Sequence, residues 1–338
     1  MLAGYFCTLS DMISRLRVST ELATIIGAVS FMYFLAATGV LAAEYIIARA
    51  RRHLNADANP GRRQALNAIG GALMASPFAV IGYGALVQRT DFRVRELDVP
   101  IAGLDKDLDG IRVLQLSDIH LSAFLKESEL ARVIDAAVEL RPHLAVVTGD
   151  LISLRGDRLD DCIRQLARVK ADAGVFGCMG NHERYADAEK YAEDAAARVG
   201  IRFLRHQAQP LRFGSATLNL AGVDYQSVAG RHVYLKGAER LVAPGALNVL
   251  LSHNPDVFPV AARQGYNLVL AGHTHGGQVT VEILDQEINP ARFLTPYVYG
   301  LYRLGNSVEY VTRGIGTIGI PARIGAPPEI SVLRLRKA

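Results

Sequence analysis

Asn267-Leu-Val-Leu-Ala-Gly-His-Thr-His-Gly-Gly-Gln278 carries more structural information than any other segment of the chain. Its apolar first half is typical of a buried strand, and the glycines around two histidines predict a tight turn at the carboxyl end of that strand. Open α/β sheets bind ligands at this end of their strands. A lone His-x-His motif is weak evidence for a metal site, because most histidines beside strand ends are hydrogen-bonded loop residues. The other strand ends therefore decide the interpretation.

Four other apolar runs end in the same way, with polar side chains immediately after the strand-like residues. The four ends are Ser117-Asp118-Ile119-His120, Gly149-Asp150, Gly180-Asn181-His182-Glu183 and Ser252-His253-Asn254. Together with the first segment they supply the candidate ligands Asp118, His120, Asp150, Asn181, His182, His253, His273 and His275. Five of the nine histidines in the chain belong to this set. Such a repetition does not arise by chance, so we predict one site built from all five strand ends.

This set of side chains predicts the metal and its chemistry. Imidazole nitrogens combined with carboxylate and amide oxygens suit Mn, Fe or Zn better than Mg or Ca alone, and Mn is our first choice. Two divalent ions roughly 4 Å apart clamp a phosphoryl group and lower the pKa of a bridging water. We therefore expect two divalent metal ions and a phosphorylated or diphosphate-containing substrate.

The N-terminal part of the chain has a different character. Residues 22–43 contain no charge, and a helix of that length crosses a hydrocarbon layer of about 30 Å. A second uncharged run, from Gln64 to Gln88, contains glycines and a proline, which membrane helices tolerate. A buried core helix is the alternative, but such helices seldom lack a polar face throughout. We predict a membrane anchor over residues 1–89, with spans at about 22–47 and 65–88, that contacts the lipid bilayer.

The arginines around these runs give the predicted orientation. The loop between the runs carries five arginines, against two before it and three after it. By the positive-inside rule this loop is cytoplasmic, so we expect the catalytic part on the periplasmic side of a bacterial inner membrane. The net charge is +4 and the pI is near 9.0, but the sequence has no dense basic run with interleaved aromatic residues. We therefore expect no nucleic-acid partner.

Residues 90–338 alternate strand-like and helix-like segments and then end in further strands. Predicted helices cover 126–140, 159–169, 186–199 and 256–263. Predicted strands outside the five motifs cover 92–99, 211–213, 216–223, 279–283, 308–311 and 330–335. This order predicts a layered α/β sandwich of mixed β-sheets, preceded by the N-terminal transmembrane helices. We take residues 90–338 as one catalytic domain.

The order of the motifs resembles that of a known family. Asp-x-His at 118–120, Gly-Asp at 149–150, Gly-Asn-His-Glu at 180–183, His253 and Gly-His-x-His at 272–275 are similar to the calcineurin-like metallophosphoesterases. The similarity covers roughly residues 110–278 and implies the metallo-dependent phosphatase fold. Segments 276–278, 312–317 and 327–330 resemble the bacterial membrane-associated branch. Some relatives of that branch cleave the diphosphate of UDP-diacylglucosamine, a lipid A precursor.

The resemblance implies roles for the candidate ligands. It places the first metal on Asp118, His120 and His275, the second on Asn181, His253 and His273, and Asp150 between them as a bridge. It places His182 beside the leaving-group oxygen, as general acid or as hydrogen-bond donor to the transition state. An imidazole suits either role, because its pKa lies near the working pH. The predicted catalytic set is therefore His182, Asn181 and Asp150.

The surroundings of His182 depart from the family pattern. Ser153 stands where related phosphatases carry an iron-binding Tyr or an Asp that pairs with the catalytic histidine. A ferric-tyrosinate centre is therefore not expected, and the partner that orients His182 is left undetermined. Glu183 is one candidate partner, with a solvent-facing helix start as its alternative. Arg184 and Arg313 are candidate substrate-binding residues, since guanidinium groups bind phosphate in a bidentate manner.

We predict a membrane-anchored, dinuclear metal-dependent phosphoesterase that hydrolyses a phosphoester or diphosphate bond by metal-bound hydroxide. A lipid-linked envelope precursor such as UDP-diacylglucosamine is the first substrate hypothesis, because an anchor keeps the site near the bilayer; that would place the enzyme in lipid A biosynthesis. The alternative within the same chemistry is a general or nucleotide phosphodiesterase. A non-catalytic scaffold is the third hypothesis, and the full set of expected ligands argues against it.

Overall fold

The chain forms two compact units in a computed structural model that describes residues 20–54, 59–283 and 286–338. One unit comprises the residues up to Gln88 together with 319–324. The other comprises residues 89–318 and 325–338. Residues 1–19 and 55–58 of the predicted anchor lie outside the described residues.

The first unit consists mainly of two long apolar helices. Helix α1 spans Thr20–His53 and helix α2 spans Pro60–Leu86, with Asn59 as the N-cap of α2. Large apolar side chains of both helices are exposed, for example Phe34 and Phe78, whereas a core helix of a soluble protein buries such side chains. Both helices are long and apolar enough to cross a membrane. The prediction of two N-terminal apolar helices is confirmed.

The second unit follows the predicted alternation of helices and strands. Its helices are α3 Glu127–Glu139, α4 Leu159–Leu166, α5 Asn181–Tyr185, α6 Glu189–Arg198 and α7 Phe258–Gln264. Its strands are β1 Arg93–Ile101, β2 Arg112–Leu116, β3 Leu144–Thr148, β4 Val175–Cys178, β5 Ile201–Phe203, β6 Gln207–Phe213, β7 Ala216–Gly222, β8 Leu247–Leu251, β9 Leu268–Ala271, β10 Val281–Ile283, β11 Gln286–Ile288, β12 Gly300–Leu304, β13 Ser307–Val311 and β14 Glu329–Lys337.

The helix predicted over 186–199 is wrong in its start. Asp187 has a φ of 54°, and a residue in the left-handed region ends a right-handed helix. Helix α6 therefore begins only at Glu189. The short helix α5 precedes it and starts at Asn181, so the Gly-Asn-His-Glu motif itself forms a helical turn.

Two mixed sheets of six strands lie at the centre of this unit. The first has the order β1-β14-β2-β3-β4-β5. Strands β2 to β5 are parallel, and β14 is antiparallel to β2. The second has the order β12-β13-β9-β8-β7-β6, with β13, β9, β8 and β7 parallel and an antiparallel strand at each edge. The predicted mixed sheets are confirmed, and parallel strands bring the loops after them to a common edge.

The two sheets pack face to face, and helices cover their outer faces. Val113 and Leu144 of the first sheet belong to one buried cluster with Leu218 and Val249 of the second. Helices α3, α4 and α6 pack on the outer face of the first sheet, and α7 packs on the second through Phe258. Strands buried on both faces explain the continuous apolar runs in the sequence. The predicted layered α/β sandwich is confirmed.

Candidate metal centre

The candidate ligands directly follow strands β2, β3, β4, β8 and β9, in the loops there or, for Asn181 and His182, in the first turn of helix α5. The structure brings together seven of the residues selected from the sequence: Asp118, His120, Asp150, His182, His253, His273 and His275. The eighth candidate, Asn181, directly precedes His182 in the chain. Six of the eight are buried, and His182 and His273 are half-buried. Because these loops come from both sheets, the centre lies where the carboxyl edges of the two sheets meet.

Three overlapping groups of side chains place their ligand atoms within 4.8 Å of one another. The groups are Asp118 with His120 and His275, His120 with Asp150 and His182, and Asp150 with His253 and His273. The Oδ2 atom of Asp150 lies 3.0 Å from His253 Nε2 and 3.5 Å from His120 Nε2. The Oδ1 atom of Asp118 lies 3.4 Å from His275 Nε2. Asp150 therefore joins the two ends of the cluster.

The backbone of the ligand loops is strained. Asp118, His120, Asp150, His273 and His275 have φ values of 51°, 49°, 55°, 74° and 53°. A non-glycine residue in this region costs of order 1–3 kcal/mol and persists only where the surroundings impose it. Hydrogen bonds between loops supply part of that constraint, since His120 N donates to the carbonyl of Asp150 at 3.0 Å. The backbone strain thus lowers the stability of the fold, and it directs these side chains towards one point.

Backbone and hydroxyl groups orient the ligands from behind. Ser117 Oγ donates to Asp118 Oδ2 at 2.6 Å. His253 Nδ1 donates to the carbonyl of Thr148 at 2.7 Å, so its Nε2 faces the cluster. Gly272 permits a close approach, because a Cβ there would lie 2.1 Å from Ser117 Oγ. Such outer contacts fix ring orientation and tautomer at metal sites.

Ser153 contacts two histidines of the cluster. Its backbone carbonyl accepts a hydrogen bond from His182 Nδ1 at 2.5 Å, and its Oγ lies 3.1 Å from His120 Nδ1. His182 is therefore oriented by the backbone carbonyl of Ser153, the residue that departs from the family pattern. The hypothesis that Glu183 orients His182 is wrong, because the buried Glu183 carboxylate accepts instead from the N–H groups of Gly180, Asp150 and Leu151 at 2.8, 3.0 and 2.6 Å.

Burial and mutual attraction set the charges in the cluster. Burial alone would raise the pKa of Asp150, but the nearby histidines, His253 first, hold it well below its usual range. Burial would lower the pKa of His253, but the carboxylate of Asp150 raises it to about 10. Burial lowers the pKa of His273 to about 3 and also lowers the pKa of His120. The cluster therefore offers an ionised Asp150 carboxylate and neutral His120 and His273 imidazoles, whereas His253 holds a proton that a bound metal ion would displace.

Two buried atoms test whether a metal fits this cluster. Among the described residues, His120 Nε2 and Asn181 Oδ1 have no hydrogen-bond partner. Buried polar atoms are satisfied in native proteins, so an orphaned pair at one site indicates a missing ligand. An imidazole nitrogen and an amide oxygen are both donors to Mn, Fe or Zn. The residues present therefore fit divalent metal ions.

Comparison with known proteins identifies the family of this site. Residues 111–277 match the calcineurin-like phosphoesterase family. A protein of Escherichia coli named phosphodiesterase YaeI is 30% identical over 230 residues, which cover 66% of this chain and 82% of that protein. The chain belongs to the calcineurin-like phosphoesterase family. Membership confirms the predicted resemblance and the prediction of a phosphoester hydrolase, and it implies divalent metals.

Two further relatives of this phosphoesterase extend the similarity towards the N-terminus. The uncharacterized metallophosphoesterase YkuE of Bacillus subtilis is 29% identical and covers 81% of this chain and 97% of itself. A zebrafish protein named transmembrane protein with metallophosphoesterase domain is 31% identical and covers 87% of this chain. The chain spans about two thirds of the zebrafish relative, at 67% of its length. The name of that relative and the two apolar helices both point to membrane association.

Two tyrosines border the centre of the phosphoesterase. The Tyr225 ring centroid lies 5.6 Å from that of His273 and 6.1 Å from that of His253, and the Tyr185 ring lies 5.6 Å from that of His182. Sequence reasoning missed Tyr185, whose only signal is its position three residues after His182. Of the two candidate arginines, Arg184 is exposed, and its guanidinium makes no hydrogen bond or ion pair with any described residue. Arg313 lies beside Gly276, since a Cβ placed on that glycine would lie 2.7 Å from Arg313 Cγ.

Proposed function

We propose that the chain is a membrane-anchored phosphoesterase that works with two divalent metal ions. The observation that carries the proposal is the position of Asp150 between two groups of ligand atoms, since a shared carboxylate is the usual means of holding two cations at one site. Asp118, His120 and His275 would hold one ion, Asn181, His253 and His273 the other, with Asp150 in contact with both. When bound, two such ions neutralise phosphoryl charge and lower the pKa of a water molecule between them.

His182 would transfer or share a proton with the leaving group. Its Nδ1 faces the carbonyl of Ser153, and a carbonyl only accepts, so that nitrogen carries the hydrogen. The neutral ring then presents the lone pair of Nε2, and the protonated ring presents an N–H there. A protonated Nε2 can donate to the oxygen that leaves the phosphorus atom, which is the role of a general acid.

The anchor supports a hypothesis about the substrate. Residues 1–89 as a bilayer anchor, with residues 90–338 as the catalytic domain, would keep the metal centre near lipid headgroups. A lipid-linked envelope precursor such as UDP-diacylglucosamine is therefore our first candidate, with the domain on the periplasmic side of the inner membrane. The second candidate is a general phosphodiester, which the name of the Escherichia coli relative favours. Mn²⁺ is the first ion to test, followed by Fe²⁺ and Zn²⁺.

The test uses the full chain purified in detergent, stripped of metal and supplied with Mn²⁺. We expect hydrolysis of bis(p-nitrophenyl) phosphate that depends on the metal and falls about 10³-fold or more in Asp150→Asn, because the variant weakens both ion sites. Asp172→Asn changes an exposed carboxylate and serves as the matched control. Equal activity of Asp150→Asn and the parent would contradict the proposal. UDP-diacylglucosamine and cyclic nucleotides assayed beside it separate the two substrate candidates.

A further inference from the structure

The two most exposed large apolar side chains that the structure describes are neighbours in the catalytic unit. Phe293 is 90% exposed and Leu294 is 87% exposed. By comparison, Phe34 and Phe78 of the two long apolar helices are 63% and 54% exposed. Residues 290–296, which we call the apolar tip, also include two exposed prolines. Single exposed apolar residues are common on protein surfaces, whereas an adjacent group of them indicates a contact surface.

The apolar tip is a closed turn, so its exposure does not come from an irregular loop. It starts with the 3₁₀ turn Pro290–Phe293, whose N-cap Asn289 accepts from Ala291 N through Oδ1 at 3.0 Å. The backbone N–H groups of Leu294 and Thr295 both donate to the carbonyl of Ala291, at 2.9 and 3.0 Å. The turn therefore satisfies its own backbone while its two large apolar side chains stay outside.

The base of the apolar tip is fixed to the loop of the metal centre. Asn289 is buried, and its Nδ2 donates to the carbonyl of Gly276 and to Thr280 Oγ1, each at 2.9 Å. A Cβ placed on Gly277 would lie 2.0 Å from Asn289 Oδ1. Gly276 directly follows the candidate ligand His275. The tip is therefore braced against the loop that carries this ligand.

The size of the apolar tip argues against a protein partner. An aromatic side chain buries about 150–250 Å², so Phe293 and Leu294 together offer roughly 300–400 Å² of apolar surface. A stable protein interface buries about 800 Å² on each side. A lipid bilayer has no such requirement, because its affinity follows the apolar area that enters it and needs no complementary surface.

The charge of the apolar tip is also compatible with lipid. Residues 290–296 contain no acidic residue, and carboxylates are the groups that anionic headgroups repel. The anchor brings such headgroups within reach. Helix α2 ends at Leu86 and the catalytic unit begins at Arg89, and the two residues between them span at most about 7 Å. In a chain whose helix α2 crosses a bilayer, the catalytic unit therefore starts at the surface of that bilayer.

We propose that the apolar tip enters the interface region of a lipid bilayer, with the Phe293 ring and the Leu294 side chain between the headgroups and the upper acyl chains. The catalytic unit then has a lipid contact of its own, separate from the two long helices. The inference rests on the membrane association of the proposed function, and it depends neither on catalysis nor on the identity of the substrate.

A single tryptophan reports this contact, because the chain has none of its own. The full chain with Phe293→Trp is reconstituted into phosphatidylcholine vesicles that contain a lipid with a nitroxide near the top of its acyl chain. We expect the nitroxide to lower tryptophan emission at least about twofold, because interfacial side chains lie about 5–10 Å deep. Leu294→Trp should give the same result, so the test does not depend on one variant.

Tyr191→Trp is the matched control within the catalytic unit. Tyr191 is an exposed aromatic residue on helix α6. We expect its replacement to be quenched by acrylamide in the water and not by the lipid nitroxide, whereas the two tip variants should show the opposite order. Equal lipid quenching in Phe293→Trp and Tyr191→Trp would overturn the proposal. Protection of the tip variants from acrylamide without lipid quenching would show that protein covers the tip, and would overturn it as well.

Phe34→Trp separates this inference from the anchor on which it rests. Phe34 is exposed near the middle of helix α1, so a nitroxide deep in the acyl chains should quench its replacement if α1 crosses the bilayer. Quenching in Phe34→Trp without quenching in Phe293→Trp and Leu294→Trp would overturn the lipid contact of the tip and leave the anchor intact. Quenching in the two tip variants alone would support the contact and contradict the anchor.

Discussion

The metal centre and the surroundings of Glu329 both bury carboxylates in the catalytic unit, and these two places are built in opposite ways. At the metal centre His120 Nε2 and Asn181 Oδ1 lack hydrogen-bond partners among the described residues, and five ligand residues have left-handed backbone. At Glu329 the carboxylate accepts hydrogen bonds from hydroxyl groups. Ser331 Oγ lies at 2.6 Å and Tyr299 Oη at 3.0 Å, and the Tyr310 hydroxyl also donates. Buried polar atoms without hydrogen-bond partners, held by strained backbone, mark a place for an ion. A buried carboxylate whose hydrogen bonds are all made marks a structural network.

Loss of an imidazole at the metal centre should have the largest effect. We expect His120→Ala to lower hydrolysis of a phosphodiester by about 10³-fold, because a metal ion contributes several kcal/mol to the transition state. Metal analysis of the purified chain should show fewer bound ions per molecule than in the parent. His232→Ala removes an exposed histidine and should change neither quantity. If His120→Ala bound as much metal as the parent, the unpartnered atoms at this centre would not mark an ion site, and the contrast with Glu329 would fail.

Glu329→Gln should affect stability and leave metal content unchanged. The amide replaces a charged acceptor of four hydroxyl hydrogen bonds, and hydrogen bonds to charged groups are worth about 1.5–3 kcal/mol. For a domain of this size we expect Tm to fall by about 5–10 °C, measured by tyrosine fluorescence because the chain has no tryptophan. The exposed Glu96→Gln on the neighbouring strand is the control. A loss of bound metal in Glu329→Gln would mean that the network is part of the metal site.

Glu309 is a further buried carboxyl group, outside both places, and neither of its oxygens has a partner among the described residues. It lies on strand β13 opposite Tyr302, away from any group of candidate metal ligands. Burial raises its pKa well above the usual range, with the nearby Asp256 adding to the shift. The folded state therefore keeps the proton that the unfolded chain releases above a pH of about 4.3. Stability is lost as the pH rises from that value towards the folded pKa.

Glu309→Gln should therefore become relatively more stable as the pH rises. We expect the Tm of the variant and of the parent to be similar near pH 5, and the variant to exceed the parent by about 2–4 °C near pH 8, which corresponds to about 1 kcal/mol. Glu96→Gln provides the exposed control. If the difference in Tm between Glu309→Gln and the parent did not grow with increasing pH, Glu309 would be ionised in the folded protein and would have a partner.

The sequence alone predicts that these strand ends come together, and it does so for a physical reason. Each ligand directly follows a buried strand, and apolar runs and polar strand ends are local features that can be read from a few neighbouring residues. The strain of those ligands is not local in this sense. Only glycine reports a positive φ through its identity, whereas Asp118 and His273 adopt it because surrounding loops impose it. The helix break at Asp187 was missed for the same reason.

The contacts that sequence reasoning missed join distant segments. Ser153 orients His182 across 29 residues, through a backbone carbonyl that any residue type could supply, so its identity held no signal. Arg95 and Arg313 meet at Tyr299 only because strand β14 carries Glu329 to the ring. Arg95 stands in no recognisable motif, and the motif that contains Arg313 does not show which residues the arginine meets. Composition and spacing describe strand ends, but they do not report which strands become neighbours.

Strand β14 lies between β1 and β2 in the first sheet, although more than 200 residues separate it from both in the chain. During synthesis the ribosome therefore delivers every metal ligand before it delivers the strand that joins β1 to the rest. At 5–20 residues per second, the more than 200 residues between β2 and β14 take roughly 10–50 s to synthesise. A nascent chain must keep two sheet edges unpaired for that time. We expect ribosome-bound chains stalled before Glu329 to be cleaved readily by protease, and released chains to resist it.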